Sequence, residues 1–278
     1  MSVRLPSEIG NLVFASPAVQ DVLAQEKKRL TALNATFVLI AIAILFVTFI
    51  GSEIDIPQLI KDRNNMVEYV SRYFPPDFRY WRSYMNETWI TISMAVWGTV
   101  LAAIAGIPAG LLASENLCPA WIVFPVRRVM DFMRAVNEFV FAIMFVVAVG
   151  LGPFAGTLAL FVHTTGTFGK LYSEAVEAIE DGPVEGIRAT GASKIQEIVF
   201  GVIPQVVPLW LSFTLYRFEA NIRSASVVGL VGAGGIGMAL DQSLDTFQYQ
   251  QSCAILIILV VTVSIIDTVS SKLRSHLV

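Results

Sequence analysis

Arg217, Glu219, Asn221 and Arg223 stand close together inside an otherwise apolar stretch, Phe213-Thr-Leu-Tyr-Arg-Phe-Glu-Ala-Asn-Ile-Arg-Ser224. Charge is expensive in lipid, about 2.5–3.5 kcal/mol for a central Arg on translocon scales, so these side chains are expected to face protein or a water-filled cavity. Glu219 and Arg223 have the spacing of an intrahelical ion pair. Two chemistries are open: a structural salt bridge or interfacial snorkel, and an arginine, Arg217 or Arg223, that lines a path for an anion. Arg134, Asn137 and Glu138 form a second polar group, spaced as on successive helical turns, and read as an interfacial anchor. His163, beside Thr164 and Thr165, has no second His, Cys or carboxylate at metal-ligand spacing and reads as a hydrogen-bonded packing residue.

Gly229-Leu-Val-Gly232-Ala-Gly234-Gly235-Ile-Gly237 contains a literal GxGxxG. That motif holds a dinucleotide only as a turn between a buried strand and a helix of an α/β sheet, and here it separates two apolar stretches. Gly232, Gly234 and Gly235 are expected either to let backbone approach or bend near the outward mouth of a pathway, or simply to pack tightly. No GxxxxGK[ST], HExxH or GxSxG is present, and no carboxylates are paired for acid–base work. The chain is not expected to be an enzyme, and any ATP hydrolysis must fall to a separate chain.

The elements that must position these residues follow from composition. The chain has 278 residues, 55% of them hydrophobic and 15% charged, with a mean hydropathy of +0.66. That is an all-α, polytopic membrane helix bundle and too short for two large membrane domains. The formal net charge of −3, with no run of five like charges, argues against a nucleic-acid partner. Cys118 and Cys253 carry no CxxC spacing and read as inert packing residues.

Six spans are expected. Residues 1–31 form a cytoplasmic tail with an amphipathic portion at 19–30, followed by one transmembrane domain at 32–278 with its core at 88–272. The spans fall at 32–51, 88–114, 135–151, 154–170, 205–226 and 251–268. The uncharged run 139–169 would extend about 46 Å as a single helix, so it is split at Gly150-Leu-Gly-Pro153. Segment 52–87 is a loop whose aromatics suit the headgroup level, and 116–134 is a loop where cationic charge collects. The span 88–114, with Gly98, Gly106, Pro108 and Gly110, is expected to present a small-residue face to another helix. Twelve Lys and Arg on one side against five on the other place both termini and segment 172–204 in the cytoplasm.

Segment 172–204 is a long charged interruption in apolar sequence. Asp181-Gly182-Pro183 stops one helix and starts another, because proline is tolerated where its missing N–H has no partner. A short helix is expected over 183–190. Gly191 fits the left-handed residue that ends it, and Ser193 with Gln196 has capping-box spacing for the next helix. Glu185 and Arg188 are the expected surface contacts.

Glu185-Gly186-Ile187, Gly191 six residues after the Glu, and Ile203-Pro204 resemble the EAA loop of ABC importer permeases of bacteria. Gly186-Ile187 stand where that family usually has two alanines, and Gly201 where it usually has an aliphatic residue. Val149-Gly-Leu-Gly-Pro-Phe-Ala-Gly156, Phe168 to Glu177 and Asn221 to Gly237 are similar to the permease subunit of phosphonate ABC importers. The glycine-rich piece is shared with methionine-type permeases. The resemblance implies a type I importer permease of the bacterial inner membrane, multi-pass, that moves phosphonate or a related phosphorus oxyanion by alternating access. Glu185, Gly186, Ile187, Arg188, Gly191, Ala192, Ser193 and Pro204 would then couple to an ATPase. It further implies a permease homodimer, two copies of a cytoplasmic ABC ATPase that carries ATP-Mg, and a periplasmic or lipid-anchored binding protein. No cofactor or metal is expected on this chain. A methionine-type permease, and a secondary transporter or channel with no ATPase, are the other readings.

Overall fold

A computed structural model describes residues 17–274, with side chains from Asn34 onward. Among these residues every regular element is helical, and they fall into two compact units divided after Val67. The side chains of the expected amphipathic portion at 19–30 lie outside the described residues, as does the structure of 1–16.

The first unit holds α1 (Pro17–Gly51), α2 (Ile56–Lys61) and the start of α3 (Arg63–Ser71). The stretch Asn34–Gly51 is apolar enough to cross a membrane and none of it is buried by protein, as suits a helix that faces lipid. Asp55 starts α2 by accepting the Gln58 N–H at 2.9 Å.

In the second unit α4 (Trp81–Leu112), α5 (Ala120–Ala135), α6 (Glu138–Val149) and α7 (Pro153–Glu177) are followed by α8 (Asp181–Ala189) and the single turn α9 (Lys194–Gln196). A π-helical turn, Glu197–Val202, leads into α10 (Ile203–Val228). A 3-10 turn, Gly229–Val231, then leads to α11 (Gly235–Asp245) and α12 (Tyr249–Arg274). The central element is α7, which packs on α4, α5, α6 and α10.

The small-residue face expected on α4 meets α7. A Cβ added at Gly98, Gly106 or Gly110 would lie 2.8, 2.7 and 2.6 Å from the Cβ atoms of Leu160, Phe168 and Tyr172. Ala102, one turn from both Gly98 and Gly106, is fully buried. Across this seam Phe168, Tyr172 and Trp210 stack with ring centroids 4.9 and 4.8 Å apart, which carries the packing on to α10. Asn221 sits where α4, α7 and α10 meet and is 1% exposed. Its side chain accepts from Thr164 Oγ1 at 3.0 Å and donates to Thr99 Oγ1 at 2.8 Å. Interhelical bonds of this kind contribute roughly 0.6 kcal/mol each, so their main effect is to fix register.

Four helical stretches are long and apolar enough to cross a membrane, Asn34–Gly51, Trp81–Leu112, Lys194–Val231 and Tyr249–Arg274, or five if the bent pair α5 and α6 forms one span. The sixth expected span is α7. Its 25 residues give it the length, but it lies inside the bundle with Thr164, Thr165 and Ser173 buried, so it needs no continuous apolar surface.

Four expectations are corrected, the first being segment 52–87, which is not a loop throughout because α2, α3 and the start of α4 lie in it. Segment 116–134 is not a loop throughout, because α5 occupies most of it. The expected span at 135–151 is instead α6, whose 12 residues cover roughly 18 Å and cannot cross alone. The chain bends by 88° between α5 and α6, where the Asn137 side chain accepts the Phe139 N–H at 2.9 Å and restarts the helix. Net hydropathy located the greasy segment, while one capping residue located the break. Likewise α11 fills much of segment 231–250, which had no expected helix.

The split at Gly150-Leu-Gly-Pro153 is present. Gly152, with φ +136°, donates its N–H to the Gly232 carbonyl at 2.9 Å, so this hairpin is locked to the second glycine-rich turn. The same reach places Gly234 against Pro153, whose Cγ lies 3.0 Å from where a Cβ would stand. Tight packing is therefore what these glycines provide. The literal GxGxxG has no strand before it.

Gly106→Leu should force α4 and α7 apart and lower the thermal stability of detergent-purified protein by about 1–3 kcal/mol or abolish folding. Gly51→Ala, where no atom lies within 4 Å of the new Cβ, should leave the melting temperature unchanged. Equal melting temperatures for the two variants, read by size-exclusion after heating, would remove the seam from the account.

Candidate functional site: a docking helix and a charge cluster

At one end of the bundle α8 lies between the C-terminus of α7 and the turn that enters α10. Val184 on its inner face is buried, and Ile187 is half-buried, while Glu185, Gly186, Arg188 and Ala189 are exposed. The helix ends as its sequence implies: Gly191 has φ +82°, and the Ser193 N–H donates to Gln196 Oε1 at 2.8 Å. Ala192 is half-buried inside this turn, and Pro204 occupies the first turn of α10, where no N–H is required.

Arg188 does more than face outward. Its Nε and Nη2 reach the two carboxylate oxygens of Glu197 at 3.1 and 3.2 Å, and Lys194 Nζ lies 3.4 Å from the same group. Glu197 is buried, and the Arg188 guanidinium meets both of its carboxylate oxygens in a two-point fork. The fork ties α8 to the π-helical turn. Sequence reasoning missed Glu197, because nine residues across a left-handed turn match no helical period. Of the two departures from the EAA pattern, Gly186 faces open space, with no atom within 4 Å of an added Cβ. Gly201 lies against α8, where a Cβ would be 3.2 Å from Val184 Cα, so a larger residue there would lift the helix.

Close to this end, Arg127 joins three elements. Its Nε donates to the Ala113 carbonyl at 2.9 Å, one Nη pairs with Glu115 at 2.8 Å, and the other pairs with Glu177. The Asn116 side chain donates to the Val176 carbonyl at 2.8 Å. The C-termini of α4 and α7 are thereby fixed to α5.

The charges of α10 separate into two groups. Arg223 pairs with Glu219 at 3.2 Å and with both Asp267 oxygens at 3.1 Å, and Arg274 pairs with Glu219 at 2.8 Å. Glu219 and Arg223 thus belong to a network between α10 and α12. Arg217 makes no ion pair of this kind, and its Nε is buried with no hydrogen-bond partner among the described residues.

Glu138 is no interfacial anchor. It accepts from Ser224 Oγ at 2.6 Å and lies 3.5 Å from His163 Nε2. His163 Nδ1 is 3.0 Å from the Val136 carbonyl, which can only accept, so this nitrogen donates. His163 is hydrogen-bonded, as expected, and also faces a carboxylate that its spacing did not show, while the Arg134, Asn137 and Glu138 group does not exist as one patch. The bend separates them, leaving Arg134 paired with Asp131 at 2.9 Å. Their meeting partners lie on α6, α7 and α10, too far apart in sequence for any spacing rule to connect. Among the described residues no group of three or more His, Cys, Asp and Glu could hold a metal ion.

A family model described as "Binding-protein-dependent transport system inner membrane component" matches residues 106–278. A putative cryptic phosphonate transport system permease protein of Escherichia coli is 62% identical over 121 residues, 44% of this chain and 99% of the relative. A phosphite transport system permease protein of Stutzerimonas stutzeri is 36% identical over 245 residues, 88% of this chain and 89% of the relative. Among solved structures, a chain of a methionine ABC transporter in inward-facing form superposes with a TM-score of 0.63 at 18% identity, covering 73% of this chain and 99% of that one. That likeness concerns the fold. The match over residues 106–278, together with the relative 36% identical over 88% of this chain, means that this chain belongs to the family of binding-protein-dependent transport system inner membrane components.

Proposed function

We propose that this chain is the permease subunit of an ATP-driven ABC importer that carries a phosphonate or a related phosphorus oxyanion across the inner membrane by alternating access. The observation that carries the reading is α8. It is a short helix with one face buried on the bundle and the other exposed, tied by Arg188 to a buried carboxylate and joined directly to α7 and α10. A helix so placed fits the groove of a soluble motor and passes a rigid-body displacement to two membrane helices. The chain has no phosphate-cradling GxxxxGK[ST] loop, so the work comes from a partner ATPase, two copies for two permeases, with ATP-Mg bound there.

Both termini and α8 lie in the cytoplasm on this reading, with a substrate-binding protein delivering from the opposite side. Twelve Lys and Arg against five support that orientation. The phosphorus-oxyanion assignment is supported by relatives named for phosphonate and phosphite transport at 62% and 36% identity. Arg217, a half-buried cation whose buried Nε has no partner among the described residues and which stands outside the α10–α12 network, is the pathway residue of this proposal. Asn221, Gly232, Gly234 and Gly235 hold the helices and turns around it, and Glu219 with Arg223 brace the neighbouring face.

One observation favours a second reading. The His163–Glu138 contact near mid-helix is the kind of group that ion-coupled carriers use as a proton relay. Purified chain in liposomes, with no ATPase, should show no uptake of phosphite or methylphosphonate under a proton gradient; gradient-driven uptake would replace the ATP-driven reading by this one.

For coupling, Glu185→Arg places a like charge where a complementary motor surface is expected, and Gly191→Val puts a β-branched residue at φ +82°, which costs of order 1–3 kcal/mol. Each variant should insert normally and lose stimulation of ATP hydrolysis by binding protein by about tenfold, as ~1.4 kcal/mol of lost coupling implies. Wild-type stimulation in both variants would show that α8 is not the docking helix.

A further inference from the structure

A recess opens at the end of the bundle away from α8. Asn116 and Arg127 bind the end of α4 to the end of α7, beside α8, so the start of α4 marks the opposite end. There the residues entering α4, the second half of α11 and the start of α12 enclose about 520 Å³, lined mainly by Tyr80, Tyr84, Gln242, Thr246, Gln248 and Gln251. No charged side chain lines it.

The walls are fixed to one another. The Asp77 N–H donates to the Gln250 carbonyl at 3.0 Å, and the rings of Tyr69 and Tyr73 lie against Tyr249 with centroids 5.3 and 5.2 Å apart, so the chain that carries Tyr80 is pinned to the start of α12. Ser243 and Ser252 share a hydrogen bond of 2.7 Å that ties α11 to α12. The recess is therefore preformed. Tyr80, Gln242 and Gln248 give their side chains to no hydrogen bond among the described residues, which leaves neutral donors and acceptors of the kind a peptide backbone can pair with.

The rim carries two further signals. Phe247, between the lining residues Thr246 and Gln248, is 75% exposed and has φ +56°, a left-handed conformation that a bulky residue rarely adopts. The turn holds it there through the Gln248 N–H, which donates to the Ser243 carbonyl at 2.8 Å. A large ring kept out of the core on a strained turn is suited to anchor a protein partner. The second signal is charge. Asp241 and Asp245 stand near the C-terminus of α11, where the helix dipole is already negative, and neither has an ion pair among the described residues. No Lys or Arg occurs between Arg223 and Lys272, so a cation for them has to come from another chain or from elsewhere in this one.

We propose that this recess is the docking surface for the substrate-binding protein. The occupant is a loop of that protein that lays its backbone amides along the tyrosines and glutamines, rests an apolar side chain on Phe247 and brings a Lys or Arg to Asp241 and Asp245. A small solute could fill the recess but would have no use for the ring and the carboxylates on its rim. The inference rests on the importer reading above, which supplies a protein partner on this side.

The test uses the complete transporter complex in nanodiscs and the purified phosphonate-binding protein of the same transporter, and reads the Kd between them together with basal and stimulated ATP hydrolysis. Asp245→Lys should weaken binding at least tenfold and lower its salt dependence, with basal hydrolysis unchanged. Its melting temperature should stay level or rise, because a cation suits the end of α11; a purely structural carboxylate would leave the Kd unmoved. Phe247→Asn removes the ring with a residue that tolerates positive φ, and should weaken binding about tenfold. Gln242→Trp fills the recess from an exposed position and should block docking. Wild-type affinity in Asp245→Lys or in Gln242→Trp overturns the proposal. If Gln242→Trp fails to fold, Tyr80→Ala on the facing wall must weaken binding several-fold, and its failure to do so also overturns it. Methylphosphonate binding to the complex without binding protein, abolished by Gln242→Trp, would assign the recess to a small solute instead. A wild-type complex whose ATP hydrolysis does not respond to the binding protein overturns the importer reading, and this inference with it. Normal wild-type stimulation that the variants retain overturns only the docking surface.

Discussion

Any side chain larger than alanine at positions 98, 102, 106 or 110 would hold α4 away from α7, and most of the remaining structure depends on that approach. Inside a bilayer no hydrophobic force drives one apolar helix against another, so association rests on close packing and on interhelical hydrogen bonds. The seam supplies the first and makes the second possible. Asn221 spans Thr99 on α4 and Thr164 on α7 with two bonds of about ordinary length, which requires both helices within side-chain reach of α10. The Phe168, Tyr172 and Trp210 stack extends the same layer. At the opposite end of α7 the two glycine turns are joined backbone to backbone, so α7 is fixed along its length.

Against this rigid layer the charged groups sort by whether they are satisfied. Arg127 uses all its reach on the ends of α4 and α7, Arg188 closes on Glu197, and Arg223 closes on Glu219 and Asp267. Each is an exposed or half-buried cation in hydrogen-bonding contact with a carboxylate. Arg217 has no such contact, at a cost of a few kcal/mol by any membrane scale. The contacts that fix α10 on α4 and α7 are made by Asn221 and the aromatic stack, and Arg217 takes no part in them. This contrast separates two arginines that the sequence presents as equivalents.

Much of the fold was legible because it is written locally. Apolar length found most of the spans, Gly150-Leu-Gly-Pro153 found the hairpin, and Gly191 with Ser193 and Gln196 found the docking turn, since each signal is contained in a few adjacent residues. The failures were of two kinds. The bend at Asn137 depends on a single side chain capping its own helix inside an apolar run, where hydropathy is silent. The partners of Glu138, Glu197, Arg127 and Arg223 depend on tertiary contacts across 9 to 86 residues, for which periodicity carries no information. The candidate site was therefore half visible: the docking helix could be read as one continuous segment, and the cluster could be read only as isolated polar residues with bland explanations.

The two halves are connected by geometry. Glu177 ends α7 beside α8, and His163 lies fourteen residues back along that helix; Ile203 begins α10 beyond α8, and Arg217 lies fourteen residues forward. Both distances are about 21 Å at 1.5 Å per residue, so His163 and Arg217 stand at matched reach from the docking helix. Glu138 is carried differently. It belongs to α6, which is separated from α5 by the bend and has no covalent link to α8. Under the proposed transport cycle a displacement of α8 reaches His163 and Arg217 together, while Glu138 is tied to that motion only through Ser224 and His163. The π-helical turn at Glu197–Val202, tied to α8 through Arg188 and Glu197, stands between α8 and α10, so a displacement of α8 passes through it on the way to α10.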